Sequence, residues 1–226
     1  MIDIKDKQLS RIITLRMCVE NKTKLSEIQE ISIVNRNFLN QDLNISLIEI
    51  SKLEGIKKLS LKYFSITDEV IDSINSLENL ETLEILNCNI NSAQKIRNSI
   101  KNLFINNVKN LNISLFETKN IETLRIERVG LIDLYDISRY QNIERLELVN
   151  CQIISFPKLP LLKNLEKLYL NEIDLQFRLD VKGMEKLNFI CLNGSKVENK
   201  NDYIKNIKLQ NDKIKIIFDE NNLPIQ

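Results

Sequence analysis

Cys18, Cys88, Cys151 and Cys191 are the strongest nucleophiles in the chain, and no histidine stands ready to activate them. The 226 residues include no histidine, which removes the commonest general base and, with it, any Ser-His-Asp or Cys-His arrangement. Zinc would lack an imidazole ligand, and no Cys-x-x-Cys pair offers two thiolates at ligand spacing. Gly55, Gly130, Gly183 and Gly194 stand singly, so neither a phosphate-cradling loop nor a dinucleotide fingerprint is present. Asp and Glu are spread without a convergent pair. The expectation is a chain that is not an enzyme and needs no cofactor or metal. Binding chemistry is better supplied: Phe104, Arg125, Glu147 and Tyr169 recur at intervals of 21 or 22 residues. Aromatic and Arg side chains among alternating charges are the composition of a protein-binding surface.

That interval belongs to a repeat, Leu-x-x-Leu-x-Leu-x-x-(Cys/Val/Ile)-x-Ile, clearest in Leu80–Ile90 and Ile143–Ile153. The first residue of each inner Leu-x-Leu pair falls at Ile31, Leu59, Leu83, Leu103, Leu124, Leu146, Leu168, Ile190 and Ile207. Successive gaps are 28, 24, 20, 21, 22, 22, 22 and 17 residues. Apolar residues held in phase at such a period are the signature of stacked repeats. Alternation such as Glu122-Thr123-Leu124-Arg125-Ile126-Glu127 marks a strand with one buried face. Nine strands in one phase predict a single parallel sheet with crossover connections.

The pattern resembles the leucine-rich repeat family over roughly residues 25–215, and its short period resembles the bacterial internalin and phosphatase-regulator type. The resemblance implies an α/β fold: a right-handed solenoid with a parallel sheet on its concave side and short helices or extended segments on its convex side. The expected organisation is an amino-terminal cap over 1–24, about nine repeats over 25–215, and a capping strand and tail over 216–226, as one domain. Family membership fixes architecture far better than activity. In many such repeats an inward Asn fills the slot that here holds Phe64, Cys88, Val108, Val129, Cys151 and Ile173. Cys88 and Cys151 then read as small buried hydrophobes; three strands apart, at about 4.8 Å each, they are too distant for a disulfide. Asn instead stands one residue earlier, at Asn35, Asn87, Asn107, Asn150 and Asn211. The expectation is that an Asn-rich composition simply puts amides where turns tolerate them.

Residues between and beside each inward pair should face outward. Central positions are Ser32, Ser60, Glu84, Phe104, Arg125, Glu147, Tyr169, Cys191 and Lys208, and Cys191 is expected to be an accessible thiol. Neighbouring strands lie about 5 Å apart, so Phe104, Arg125, Glu147 and Tyr169 should form one row. With their flanking neighbours they give a candidate protein-binding set of Tyr63, Leu86, Phe104, Arg125, Glu127, Arg145, Glu147, Tyr169 and Phe189. A plainer role for Arg125, Glu127, Arg145 and Glu147 is mutual pairing that keeps the face soluble.

Connections differ along the chain. Thr67 as N-cap, acids at Asp68 and Glu69, and apolar residues at 70, 71, 74 and 77 predict a short amphipathic helix. Residues 40–53, with Leu43, Leu47, Ile48 and Ile50, predict another. Pro157 and Pro160 predict an extended or single-turn path. Leu9, Ile12, Ile13, Leu15 and Met17 suit a cap of helix or irregular strand, and 213–218 a last strand.

Net charge is +1, with seven basic and seven acidic residues interleaved over 101–150, so no basic stripe favours nucleic acid. No run approaches the ~18 apolar residues of a membrane span. Met1–Lys7 carries acids where a secretory leader has bases, so a cytoplasmic location is expected, with non-classical secretion left open. The expected function is binding of a protein partner by a monomer. A toxin-neutralising immunity protein or an injected effector using the same face is the alternative, and pairing through the carboxyl-terminal strand would give a homodimer.

Overall fold

The computed structural model describes residues 2–4, 28–34, 53–156 and 158–218. The expected cap residues 9–17, the helix at 40–53, Cys18, Asn35, Pro157 and the tail from 219 lie outside these, save Leu53, which is buried. The chain divides into two compact units, Met1–Thr118 and Lys119–Gln226.

In the first unit the elements are β1 (Ile2–Ile4), β2 (Glu30–Val34), β3 (Lys58–Lys62), β4 (Ser65–Ile66), α1 (Asp68–Asn75), β5 (Thr82–Leu86), β6 (Asn89–Ile90) and β7 (Asn102–Asn106). Strands β1, β2, β3, β5 and β7 lie side by side and parallel, and the markers stand opposite one another: Ile31 with Leu59, Leu59 with Leu83, Leu83 with Leu103. A one-residue slip would turn each inward set to solvent, so this apolar phase fixes the register. β4 and β6 make a second, two-stranded parallel ladder after the turn. The helix is the predicted one: Val70, Ile71, Ile74 and Leu77 are all buried. Thr67 holds the N-cap position but makes no capping bond, because its hydroxyl donates to Glu69 Oε2 at 2.6 Å. That bond holds the Glu69 carboxyl below its ordinary range. At the other end Asn98, buried, donates to the carbonyls of Ile74 and Leu77 at 2.9 and 2.8 Å, a side-chain answer to acceptors a helix terminus leaves open.

The second unit contains β8 (Thr123–Glu127), β9 (Leu131–Asp133), β10 (Arg145–Val149), β11 (Gln152–Ser155), β12 (Lys167–Asn171), β13 (Phe189–Cys191), α2 (Lys200–Gln210) and β14 (Lys215–Ile217). Its sheet is again parallel, with Leu124, Leu146, Leu168, Ile190 and Ile216 paired in sequence. β9 and β11 form a small second ladder. The path after β11 shrinks to a single 3-10 turn, Leu159–Leu161, containing Pro160, as predicted.

The ninth marker is overturned. Ile207 lies in α2, and Ile216 takes the place opposite Ile190. Ile207-Lys208-Leu209 alternates like a strand, but Asn199 caps a helix here by accepting from Asp202 N at 3.1 Å. Lys208 therefore leaves the sheet altogether; its ammonium donates to the carbonyls of Asp212 and Ile214.

The residue after each strand explains the Asn series better than composition does. Tyr63, Asn87, Asn107, Arg128, Asn150 and Glu172 all have φ between 50° and 63°, and Gly194 occupies the same slot at 68°. Asn is the side-chain-bearing residue best suited to this left-handed turn, so its placement answers a backbone demand at Asn87, Asn107 and Asn150. Asn211 does not belong to the series, since it is the C-cap of α2.

The next slot inward is not purely apolar. Ser195 accepts from Ile173 N at 3.0 Å and donates to Leu170 O at 2.6 Å. Cys88 makes the corresponding pair, with Phe64 N at 3.4 Å and Leu61 O at 3.6 Å, and Cys151 reaches Ile126 O at 3.6 Å. Thiol and hydroxyl thus bond to the preceding repeat's backbone where many such repeats use Asn. Cys88, Cys151 and Cys191 are all unbridged and buried.

Burial pushes the Cys88 thiol from 9.0 up to about 11, and raises Cys151 as well. Because the folded value exceeds the unfolded one, the stability tied to Cys88 is complete below pH 9.0 and drains away as pH rises through about 11. Near pH 8 both thiols should resist iodoacetamide in the native chain and react once urea unfolds it. Native labelling of Cys88 at the unfolded rate would contradict its burial.

Candidate binding face

Alternation in β5, β7 and β8 sends Leu83, Ile85, Leu103, Ile105, Leu124 and Ile126 inward, and leaves the residues between them half-buried on the opposite face. In the first unit this face begins with Ser32 and Ser60, both buried. Lys58 Nζ pairs with Glu84 Oε1 at 2.7 Å. Phe104 stands beside Glu84 in register, and Leu86 lies between Lys62 and Asn106; both apolar side chains are half-buried. Tyr63 is exposed, but it occupies the left-handed turn after β3 and not the strand itself.

On the second unit the expected residues come together in one connected series. Arg125 donates to Glu127 Oε2 at 2.9 Å and to Glu147 Oε2 at 3.3 Å. Arg145 Nε donates to Glu147 Oε1. The Arg145 guanidinium lies 4.5 Å from the centre of the Tyr169 ring, which in turn tilts against Phe189 at 5.3 Å. Arg128, outside the candidate set, closes the series by pairing with Glu127 Oε1 at 2.9 Å. It stands in the left-handed turn after β8, which nothing in its own residue type marks.

Two outward positions differ from expectation. Glu147 is buried, its side chain 9% exposed against 42% and 41% for Arg125 and Arg145, because Arg125 closes over it from the adjacent strand and Arg145 from two residues back on its own strand. Cys191 is buried too: it stands in register between Tyr169 and Ile217, and a small thiol between larger neighbours is covered. The mutual pairing of the four charged residues is real, and it also holds Arg145 over an aromatic ring. Such a contact contributes about 0.5–2 kcal/mol depending on how dry it is.

No protein-family model matches the chain, and no curated protein matches it. Among solved structures, an internalin (inlF) from Listeria monocytogenes aligns with a TM-score of 0.57 at 18% identity, over 88% of this chain and 56% of that one. The fold is a leucine-rich repeat solenoid. The chain spans only 56% of the internalin's length. A leucine-rich repeat protein from Leptospira interrogans also aligns, at 17% identity over 87% of this chain and 73% of that one, with a TM-score of 0.27. At 18% identity the likeness to the internalin concerns the fold alone. The chemistry of the face has to be read from its own residues.

Proposed function

We propose that this chain is a non-enzymatic recognition module that binds a protein through the outward face of its repeat sheet. The observation that carries the reading is the series Arg125–Glu147–Arg145–Tyr169–Phe189, in which ion pairs and stacking hold an Arg and two aromatic rings in place before any partner arrives. A face ordered in advance loses little conformational entropy on docking, and Arg and Tyr are the residues that most often dominate such contacts. Sheet strands set the spacing; the side chains between the inward pairs supply the chemistry.

The test is affinity capture from cells that express the protein, with bound proteins identified by mass spectrometry. Wild type is compared with Tyr169→Ala/Phe189→Ala on the second unit, with Phe104→Ala on the first, and with Ile154→Ala/Leu161→Ala, whose targets are exposed away from this face. A partner held by wild type and by the Ile154/Leu161 variant, and lost from the Tyr169/Phe189 variant, is the expected result. Loss only on changing Ile154 and Leu161 would move the binding surface off the sheet.

A further inference from the structure

Resting on that reading, the charge balance of the second unit's face points to what its partner carries. Both oxygens of Glu147 are already engaged by bases of this face: Arg145 donates to Oε1 and Arg125 to Oε2. Glu127 is occupied in the same way, Oε2 by Arg125 and Oε1 by Arg128. Three guanidinium groups thus surround two carboxylates, leaving one net positive charge in the series. Arg128 is the most exposed of the three but spends a terminal nitrogen on Glu127, and Arg125 spends both of its own on Glu127 and Glu147, which leaves the open pair to Arg145. That side chain uses Nε for Glu147 and lies with its guanidinium over the Tyr169 ring, while its terminal N–H groups meet no acceptor among the described residues.

Lys167 stands opposite Arg145 in register, is exposed, and pairs with no acid among the described residues. Glu144 and Glu166, the acids next to these bases in sequence, make no ion pair with either. Phe189 lies opposite Lys167 on the far side, half-buried against Tyr169. A planar fork fixed on one edge by a carboxylate and on one face by a ring presents its outer N–H pair in the geometry that grips a second carboxylate bidentately. We propose that Arg145 and Lys167 hold the carboxylate of an Asp or Glu on the protein partner, with an apolar or aromatic residue beside that acid packing on Tyr169 and Phe189. A basic segment would meet the same surface with repulsion, which is how charged faces exclude wrong partners.

Random linear peptides displayed on phage are selected against the immobilised full chain, and an enriched peptide is synthesised in acidic form and with its acid replaced by the matching amide. Enrichment of Asp or Glu next to Phe, Tyr or Leu is expected. The acidic peptide should bind about tenfold more weakly to Arg145→Gln, the amide peptide should lose a similar factor on wild type, and the two losses should not add. Lys167→Gln should give a smaller loss of the same kind, and serves if Arg145→Gln proves poorly folded. Selection without acids, or acidic peptides indifferent to both substitutions, overturns the assignment. Should such peptides still be lost from Tyr169→Ala/Phe189→Ala, the sheet-face reading survives alone; indifference to all four substitutions removes both.

Discussion

Leu146→Ala is expected to destabilise the chain by about 2–5 kcal/mol, the range for emptying a fully packed Leu site. Leu146 is 0% exposed and stands in register between Leu124 and Leu168, themselves 0% exposed, so the cavity would open in the middle of a column of identical contacts. Parallel strands on both sides restrain collapse into that space, which favours the upper half of the range. A loss of this size is a large fraction of the roughly 5–15 kcal/mol that holds a domain together. Glu144→Ala, two residues away and exposed, should stay within about 0.5 kcal/mol. Urea denaturation of both variants is the measurement. An effect below about 1 kcal/mol at Leu146 would mean that the column is loosely packed and that the repeat phase does not describe the core.

The column was legible because burial in a stacked sheet is dictated by one strand's own alternation. Eight of the nine markers read from the sequence, Ile31 to Ile190, sit in strands at one phase. The α1 connection was legible too, since Val70, Ile71, Ile74 and Leu77 repeat at helical spacing. What alternation cannot carry is the size of a neighbour in the next repeat. Glu147 and Cys191 were read as outward and are outward, yet both are buried, because their cross-strand neighbours Arg125, Tyr169 and Ile217 were not part of the local pattern. The left-handed turn was hidden for a related reason. Three of its positions hold Asn, but Tyr63, Arg128 and Glu172 adopt the same φ without any compositional mark. Eight of the nine candidate residues lie on strands and Tyr63 on the turn after β3, while the order of contacts, from Arg128 through Glu147 to Phe189, emerged only with the side-chain geometry.

Ile207 and Leu209 give the sharpest separation between the two structures that one stretch of sequence could adopt. As an inward Leu-x-Leu pair of a ninth strand, both would be buried and both would be costly to truncate. As positions on α2 they diverge: Ile207 is 1% exposed and Leu209 is 77% exposed. Ile207→Ala should therefore cost about 2–5 kcal/mol, and Leu209→Ala no more than about 0.5 kcal/mol. The cost at Ile207 is raised by what the helix holds in place. Gln210 accepts from Val181 N at 2.8 Å and donates to Leu179 O at 3.1 Å, and Asn211 donates to Met184 O at 3.2 Å. Those bonds serve backbone groups of the preceding connection, so loosening α2 exposes polar groups there as well as apolar surface, at about 1–3 kcal/mol for each group left buried without a partner. Equal losses at 207 and 209 in urea denaturation would restore the strand. A loss confined to 207 would establish that the register passes from Ile190 directly to Ile216, with the helix packed between them in sequence but not in the sheet.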